Sequence, residues 1–349
     1  MSEAHHEIPI LTRYGDLSQD ESMTSSENYQ VVSGSSPIRE RVGLAIDGAN
    51  AAAAVKTIVA AEDAGVRQIW MVQPPNLPDT LTTFSAAAAK TSTVKLGTSI
   101  VPTYPRHPLV LAQQALAIHD LAPGRLRLGI GPSHRFIIEN IYGLQHSKPL
   151  AHLREYLEVL RTALWDGKVD HHGEFFRVVA TMPRTAQIPV LISTLGKMAF
   201  QLAGQIADGA ISWVCPVPYL LDTGIPALRS SALAARRSTP ILVAHVPVAL
   251  SEDRDSVLSA GHRFLDFYAK RPFYANMFSN AGFQVTSDQT IPDALVDSLV
   301  ISGNEATISA RLRELLEADL DELLVTLAPV SEAGEDEQQA RLIDLIGRL

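Results

Sequence analysis

Hydrophobic residues alternate along the chain between short continuous apolar runs and longer segments with apolar positions three or four residues apart. The short runs are typical of buried parallel strands, and the longer segments are typical of amphipathic helices. Eight strands are predicted, at residues 41–46, 67–72, 94–101, 125–130, 188–192, 210–214, 240–250 and 322–327. Helices are predicted at 51–64, 79–90, 109–119, 151–166, 198–206, 219–236, 253–270, 304–318 and 335–349.

This eightfold alternation of strand and helix predicts an α/β fold, a closed (β/α)8 TIM barrel. Such barrels need about 250 residues. The 349 residues therefore leave room for insertion segments over the C-terminal mouth, predicted at 132–150, 168–187 and 271–302. The second contains a small β excursion, and the third is predicted to be irregular. An open doubly wound sheet is the alternative, which the strand number and the lack of a phosphate-loop signature after the first strand disfavour.

Composition separates the first 40 residues from the rest. Residues 1–40 carry seven acidic side chains against two arginines and predict a mostly disordered acidic tail, followed by one domain at 41–349. No apolar run reaches the roughly 18 residues of a membrane span, and the start lacks signal-peptide features. The single cysteine, Cys215, indicates a reducing, cytoplasmic location. The net charge of −9 argues against a nucleic-acid partner.

Polar residues gather at the predicted strand ends, where a barrel builds its site. They are Asp47, Gln73, Thr98, Ser99, Gly131, Ser133, His134, Ser193, Thr194 and Trp213. Few of them ionise, and clustered carboxylates or imidazoles that would predict a metal are lacking. Hydroxyls, an amide and backbone N–H groups suit an organic cofactor that brings its own reactivity to a small-molecule substrate.

The turn Leu195-Gly196-Lys197 joins a strand to a helix start, where free N–H groups and a cation favour an anion such as a phosphate. The alternative is a plain strand–helix turn. Gly97-Thr98-Ser99 interrupts a buried strand and indicates a bulge or a close approach to a ligand, or simply a narrow barrel interior. Gln73 either hydrogen-bonds a ring edge or caps a loop. His134 is either a functional residue at the mouth of the barrel or a polar residue of the loop.

Three segments together resemble the bacterial luciferase-like superfamily, especially its coenzyme F420-dependent oxidoreductases. They are LGTSIVPTYPRHPLVLAQQALAIHDLAPGRLRLGIGPSH, ENIYGLQHSKPLAHLREYLEVLRTAL and PVLISTLGKMAFQLAGQIADGAISW, and the resemblance covers roughly residues 41–330. It implies a TIM barrel, usually a homodimer, that binds F420, or alternatively FMN, at its mouth. It also implies a non-proline cis peptide bond at Ser99–Ile100 against the flavin ring. The implied cofactor-binding residues are Gln73, Thr98, Ser99, Ile100, Gly129, Gly131, Ser133, Ser193, Thr194, Leu195, Gly196 and Lys197.

One departure from the family bears on the reaction. The F420-dependent sugar-phosphate dehydrogenases carry an Asp-His pair after the second strand, where this chain has Gln73-Pro74. Oxidation of an alcohol needs a group that takes the hydroxyl proton. We therefore expect hydride transfer from reduced F420 to an unsaturated acceptor, with His134 or Tyr142 as proton donor.

Two alternatives on the same scaffold are an FMN-dependent monooxygenase and a non-catalytic flavin-binding homologue. The additional carboxylates of the F420 tail call for cations at the rim, and Lys197, Arg135 and Lys148 are the candidates. Aromatic residues in the third insertion either line the substrate site or pack the insertion itself. They are Phe273, Tyr274, Phe278 and Phe283.

Overall fold

Eight parallel strands close into a barrel in the computed structural model, which describes residues 36–285 and 290–349. We number them β1 (Val42–Ile46), β2 (Gln68–Met71), β3 (Lys95–Thr98), β4 (Leu126–Gly131), β5 (Val190–Thr194), β6 (Gly209–Ser212), β7 (Ile241–Ala249) and β8 (Glu322–Leu327). Each strand pairs in parallel with the next, and β8 pairs back onto β1 with Leu323 opposite Val42. The predicted (β/α)8 fold is confirmed.

Helices follow the strands and cover the barrel. Their bounds are Ala51–Asp63, Thr80–Ala88, Pro108–Leu121, Pro149–Arg161, Lys197–Ile206, Ile225–Ala234, Arg254–Ala269, Glu305–Glu317 and Glu335–Gly347. Two of the predicted helices contain a π-helical turn, at Thr162–Asp166 and at Leu220–Gly224. No helix in the described part of the chain is long and apolar enough to span a membrane.

The tail predicted at 1–40 lies, up to residue 35, outside the described residues. Its last part is structured, because Ile38–Arg41 forms one helical turn just before β1. The Glu40 carboxylate lies 3.7 Å from Arg67 and 3.8 Å from Lys95. The folded unit therefore begins a few residues before the predicted boundary.

The prediction that residues 271–302 are irregular is wrong. Two helices form there, Pro272–Asn280 and Asp293–Leu299. Proline is tolerated at the first position of a helix, so Pro272 begins one instead of breaking it. Tyr274, Met277 and Phe278 stand three and four residues apart and are buried together, which is the spacing of a helical apolar face.

A β-hairpin is inserted between the helix Pro149–Arg161 and β5. It corresponds to the small β excursion predicted at 168–187. It pairs Lys168–His172 with Arg177–Thr181 in antiparallel register. Its tip is held by Glu155, whose carboxylate accepts hydrogen bonds from the N–H groups of Phe175 and Phe176, at distances down to 2.6 Å. Burial alone would raise the pKa of Glu155, but these backbone hydrogen bonds lower it below its ordinary value. One carboxylate thus attaches the hairpin to the helix.

The barrel interior is layered. At its N-terminal end the Arg127 guanidinium donates to the Glu322 carboxylate at 2.5 Å and to Gln68 Oε1 at 2.8 Å. The pair crosses the barrel, because β4 and β8 stand opposite each other in the ring of eight. The layer above it is apolar. Its members are Ala45, Trp70, Leu191, Ile211, Ile241, Val243 and Leu324. The N-terminal end is therefore closed, and only the C-terminal end can admit a ligand.

Candidate functional site

The peptide bond between Ser99 and Ile100 is cis, as the resemblance implied. It lies between β3 and the two-residue strand Val101–Pro102, which pairs with the end of β4. The Ser99 N–H donates to Met71 O at 2.8 Å. Its Oγ is buried and has no hydrogen-bond partner among the described residues. Buried polar atoms are usually satisfied, so this hydroxyl fits a contact with a bound group.

Thr98 and Gly129 connect β3 to β4. The Thr98 hydroxyl donates to Gly129 O at 2.7 Å and accepts from Gly129 N at 2.8 Å. A Cβ at position 129 would lie 2.0 Å from Thr98 O, so only glycine allows this approach. Both residues shape the wall of the site, and the Thr98 side chain is already fully hydrogen-bonded within the protein.

Gly131, Ser193 and Ile100 converge from three neighbouring strands at the mouth. A Cβ at position 131 would lie 2.3 Å from Ser193 Oγ and 3.1 Å from Ile100 Cγ1. The missing side chain lets Ser193 and Ile100 pack closely against the end of β4 beside the cis peptide bond. Ser133, two residues further on, has a φ of 60°, a left-handed conformation that turns the chain away from β4. The predicted ring-contacting residues are therefore neighbours in space.

The predicted anion turn opens the helix Lys197–Ile206, with Gly196 at its N-cap. Within the described chain, the N–H groups of Gly196, Lys197 and Met198 make no hydrogen bond. No atom lies within 4 Å of the position that a Cβ on Gly196 would occupy. Lys197 is exposed and has no ion-pair partner in residues 36–285 and 290–349. Free donors, open space and an unpaired cation fit a phosphate group.

Thr194 and Leu195 support this turn from below. The buried Thr194 hydroxyl donates to Ile211 O at 3.3 Å, and the Tyr219 hydroxyl donates to Leu195 O at 3.0 Å. The side chain of Thr194 is therefore part of the framework. The donors that point outward belong to the turn itself.

Gln73 caps the following helix. Its Oε1 accepts from Thr80 N at 2.7 Å, while the Thr80 hydroxyl donates to Val72 O at 3.0 Å. The capping interpretation of Gln73 is confirmed, and its side-chain oxygen is no longer available to a ring edge.

His134 lies beneath the helices of the third insertion. Its ring centroid is 5.5 Å from that of Phe267 and 5.9 Å from that of Tyr274. Burial, together with the nearby charge of Arg271 and with His146, lowers the pKa of His134 to about 4. The imidazole is therefore neutral at pH 7.

Tyr142 ends the π-helical turn Ile137–Ile141 and is half-buried. Its hydroxyl makes no hydrogen bond to the residues described, and its ring does not join the aromatic contacts of His134. The structure thus does not join the two proposed proton donors into one network.

The structure separates the aromatic residues of the third insertion into buried and exposed ones and, in the part of the chain that it describes, the proposed rim cations into paired and unpaired ones. Tyr274 and Phe278 are 5% and 0% exposed, so the packing interpretation holds for them, whereas Phe273 is 54% exposed. Of the rim cations, Arg135 pairs with Glu139 at 3.0 Å and Lys148 pairs with Glu174 at 2.6 Å. Within the described residues no three His, Cys, Asp or Glu side chains are grouped to hold a metal ion.

One mouth residue was missed from the sequence, His245 of β7. It lies inside an apolar run with no motif around it, and only its register signals its place: positions 241, 243 and 245 alternate onto one face. Since Ile241 and Val243 face the barrel interior, His245 does too, one layer nearer the mouth. Its ring stacks on Trp213 with centroids 3.7 Å apart.

Comparison with protein-family models matches residues 32–322 to the family described as luciferase-like monooxygenase. The 5,10-methylenetetrahydromethanopterin reductase of Archaeoglobus fulgidus is 26% identical over 317 residues, which cover 82% of this chain and 91% of that protein. The F420-dependent glucose-6-phosphate dehydrogenase of Nocardia farcinica is 31% identical over 207 residues, covering 55% of this chain and 60% of that protein.

A solved structure shares the fold. The coenzyme F420-dependent tetrahydromethanopterin reductase of Methanopyrus kandleri superposes with a TM-score of 0.74 at 22% identity, over 88% of this chain and 97% of that one. At this identity the likeness concerns the fold alone.

Proposed function

Because the chain belongs to the luciferase-like monooxygenase family, we propose that it is an oxidoreductase that transfers a hydride from reduced coenzyme F420 to an unsaturated organic acceptor. The observation that carries the proposal is the open turn at Gly196, whose N–H groups make no hydrogen bond within the described chain, beside the strand ends where Gly131, Ser193 and Ile100 pack together. The name of one relative, an F420-dependent glucose-6-phosphate dehydrogenase, supports the choice of cofactor, and that of another, a 5,10-methylenetetrahydromethanopterin reductase, supports the reducing direction.

In this proposal Ser99, Ile100 and Gly131 would hold the flat ring of the cofactor, and the hydroxyl of Ser99 would gain a hydrogen-bond partner there. The N–H groups of Gly196 and Lys197 would hold the phosphate, with the ammonium group of Lys197 adding charge. Gly129, Ser133 and Ser193 border the ring. The bound deazaflavin supplies the hydride, and the protein supplies orientation, exclusion of water and a proton.

The reducing direction follows from the residue after β2. Gln73 caps a helix and cannot act as a base, so no group there takes a proton from an alcohol. Tyr142 and His134 are the candidates for the proton donor. Burial lowers the pKa of His134 to about 4, so at pH 7 its neutral imidazole, packed against Phe267 and Tyr274, donates a hydrogen bond to the acceptor but does not readily release a proton, which leaves Tyr142 to supply it.

An FMN-dependent monooxygenase is the second proposal. Arg135 and Lys148, two of the three cations proposed for the F420 tail, are already paired with carboxylates. FMN needs only the phosphate turn. Exposed pairs of this kind contribute little energy and can exchange partners, so F420 remains the first choice. From the resemblance we also infer a homodimer, which light scattering of the purified protein tests, and from the single cysteine we infer a cytoplasmic location.

The deciding experiment is titration of the protein with F420 and with FMN, followed by fluorescence. We expect F420 to bind in the micromolar range or tighter and FMN to bind more weakly. Lys197→Glu weakens F420 binding about tenfold, because a repulsive charge replaces an attractive one at the phosphate turn. Lys90→Glu, an exposed lysine at the end of a distant helix, is the matched control. Selective FMN binding with oxygen uptake would favour the monooxygenase.

A further inference from the structure

The wall opposite the proposed cofactor seat carries polar side chains that the proposed function does not use. In the ring of eight strands, β7 stands opposite β3 and β8 stands opposite β4. A ring lying on Ser99–Ile100 and Gly131 therefore turns its open face toward His245 and Thr326. The substrate has to lie between the two walls.

His245 has a fixed hydrogen-bonding direction. Val214 N–H, which can only donate, lies 3.3 Å from His245 Nδ1, so Nδ1 is the acceptor and carries no proton. A neutral imidazole then bears its proton on Nε2, which lies 3.0 Å from Thr326 Oγ1. Burial lowers the pKa of His245 to about 3, so the ring stays neutral at working pH.

The backbone that aims this donor is unusual. Val214 is a buried β-branched residue with a φ of 46°, in the left-handed region that such residues rarely adopt. Conformations of this kind are costly and cluster at functional sites. Trp213, stacked on the imidazole with an interplanar angle of 15°, fixes the ring plane. The chain of hydrogen bonds that runs from Val214 N–H through His245 to Thr326 therefore has a fixed direction, held by the backbone at Val214 and by the stacked ring of Trp213.

Thr326 is where this chain of hydrogen bonds meets the mouth. Its oxygen accepts from His245, so its own proton has to point elsewhere. The hydroxyl has no acceptor among the described residues, and the side chain is only half-buried. Thr326 shares its face of β8 with Leu324, which lies in the interior apolar layer. The free O–H is therefore a donor at the open end of the barrel.

We propose that Thr326 is a specificity-determining residue, whose hydroxyl donates a hydrogen bond to a carbonyl oxygen of the substrate, conjugated to the bond that is reduced. His245 is the positioning residue that makes Thr326 a donor. The inference rests on the proposed function for the nature of the reaction, but the direction of the hydrogen bonds does not depend on it.

The first test measures that direction directly. Long-range proton–nitrogen correlation spectra of the ¹⁵N-histidine-labelled full chain, with His245 assigned from the His245→Gln and His245→Phe variants, report which ring nitrogen carries the proton. We expect an unprotonated Nδ1 and a protonated Nε2 at pH 7. A protonated Nδ1, or a doubly protonated ring, would overturn the inference whatever the cofactor is.

The second test uses reduced F420 and a panel of conjugated ketones and aldehydes, with cyclohexenone as the first probe. Thr326→Val lowers kcat/KM about tenfold or more by removing a donor to the reacting carbonyl, while Thr326→Ser stays within about threefold. F420 affinity, measured by fluorescence, stays the same in both variants. Thr83→Val is the control, since it removes a hydroxyl that donates to Asp79 O within a helix on the outside of the barrel.

The two failures can be told apart. If Thr326→Val is as active as the wild type, or if only carbonyl-free acceptors are reduced, the role of Thr326 is overturned and the proposed function stands. If no acceptor is reduced at all, the proposed function fails, and the protonation of His245 alone decides whether Thr326 is the donor described.

Discussion

At the scale of single residues, the mouth contains two kinds of polar group. Thr98 and Gln73 are hydrogen-bonded within the protein, and their function is to hold strands and helix ends in place. Ser99 Oγ and the N–H groups at Gly196 have no partner in the described chain. Because an unsatisfied buried polar atom is costly, the Ser99 hydroxyl in particular fits the contact with a ligand proposed above.

His134 gives the first prediction at this scale. His134→Ala lowers the turnover of the acceptor by about 100-fold, the usual cost of losing a hydrogen-bond donor to a developing charge, and leaves F420 affinity nearly unchanged. Steady-state kinetics and fluorescence titration measure the two quantities. His119→Ala, in the helix Pro108–Leu121, is the control. Unchanged turnover would remove His134 from the mechanism.

At the scale of elements, the sequence patterns located strands and helices well where their apolar spacing was regular. The predicted strand 94–101 proved to be β3 plus a separate two-residue strand, since the cis bond divides it. The segment 271–302 was predicted to be irregular, whereas Pro272 begins a helix there and Tyr274 and Phe278 form its buried face. Only the packing of this face within the fold could establish the helix.

The hairpin gives the prediction for this scale. Glu155→Ala removes the acceptor for the N–H groups of Phe175 and Phe176 and lowers the free energy of unfolding by about 2–3 kcal/mol. Urea unfolding measures the loss, and amide exchange at the hairpin tip should speed up. Glu158→Ala, one turn along the same helix and exposed, is the control. Equal effects of the two variants would show that the carboxylate does not anchor the hairpin.

At the scale of the whole molecule, the barrel is closed at one end by a buried ion pair. Glu322→Gln leaves the Arg127 guanidinium without its carboxylate and lowers the free energy of unfolding by about 3–5 kcal/mol. The double variant Arg127→Met with Glu322→Leu costs less than this, because no charge stays buried. Thermal and urea unfolding measure both. A double variant less stable than the single one would show that the pair itself stabilises the barrel.

Buried histidines make stability depend on pH. Burial lowers the pKa of His134 and His152 to about 4 and that of His245 to about 3, from 6.5. Below pH 6.5 the unfolded chain therefore binds protons that the folded chain does not. The free energy of unfolding falls on acidification toward pH 4, by up to about 1.4 kcal/mol per pH unit for each histidine.

Urea unfolding at pH 7, 6 and 5 measures this slope, and His245→Gln should reduce it. Burial raises the pKa of Asp208 and of Asp321, so these carboxyls act with the opposite sign and offset part of the effect at the acid end. A free energy of unfolding that does not change between pH 7 and 5 would contradict the burial of neutral imidazoles.

The sequence by itself determined the barrel and its eight strands, because hydrophobic period and turn residues act locally, over a few positions. The cis bond at Ser99–Ile100 was expected from the family resemblance alone. Only the tertiary structure decided that Gln73 is a cap, that Glu155 holds the hairpin and that His245 aims Thr326 into the mouth. These roles depend on partners far away in the chain, whose closeness follows from barrel closure and strand register, not from any local pattern.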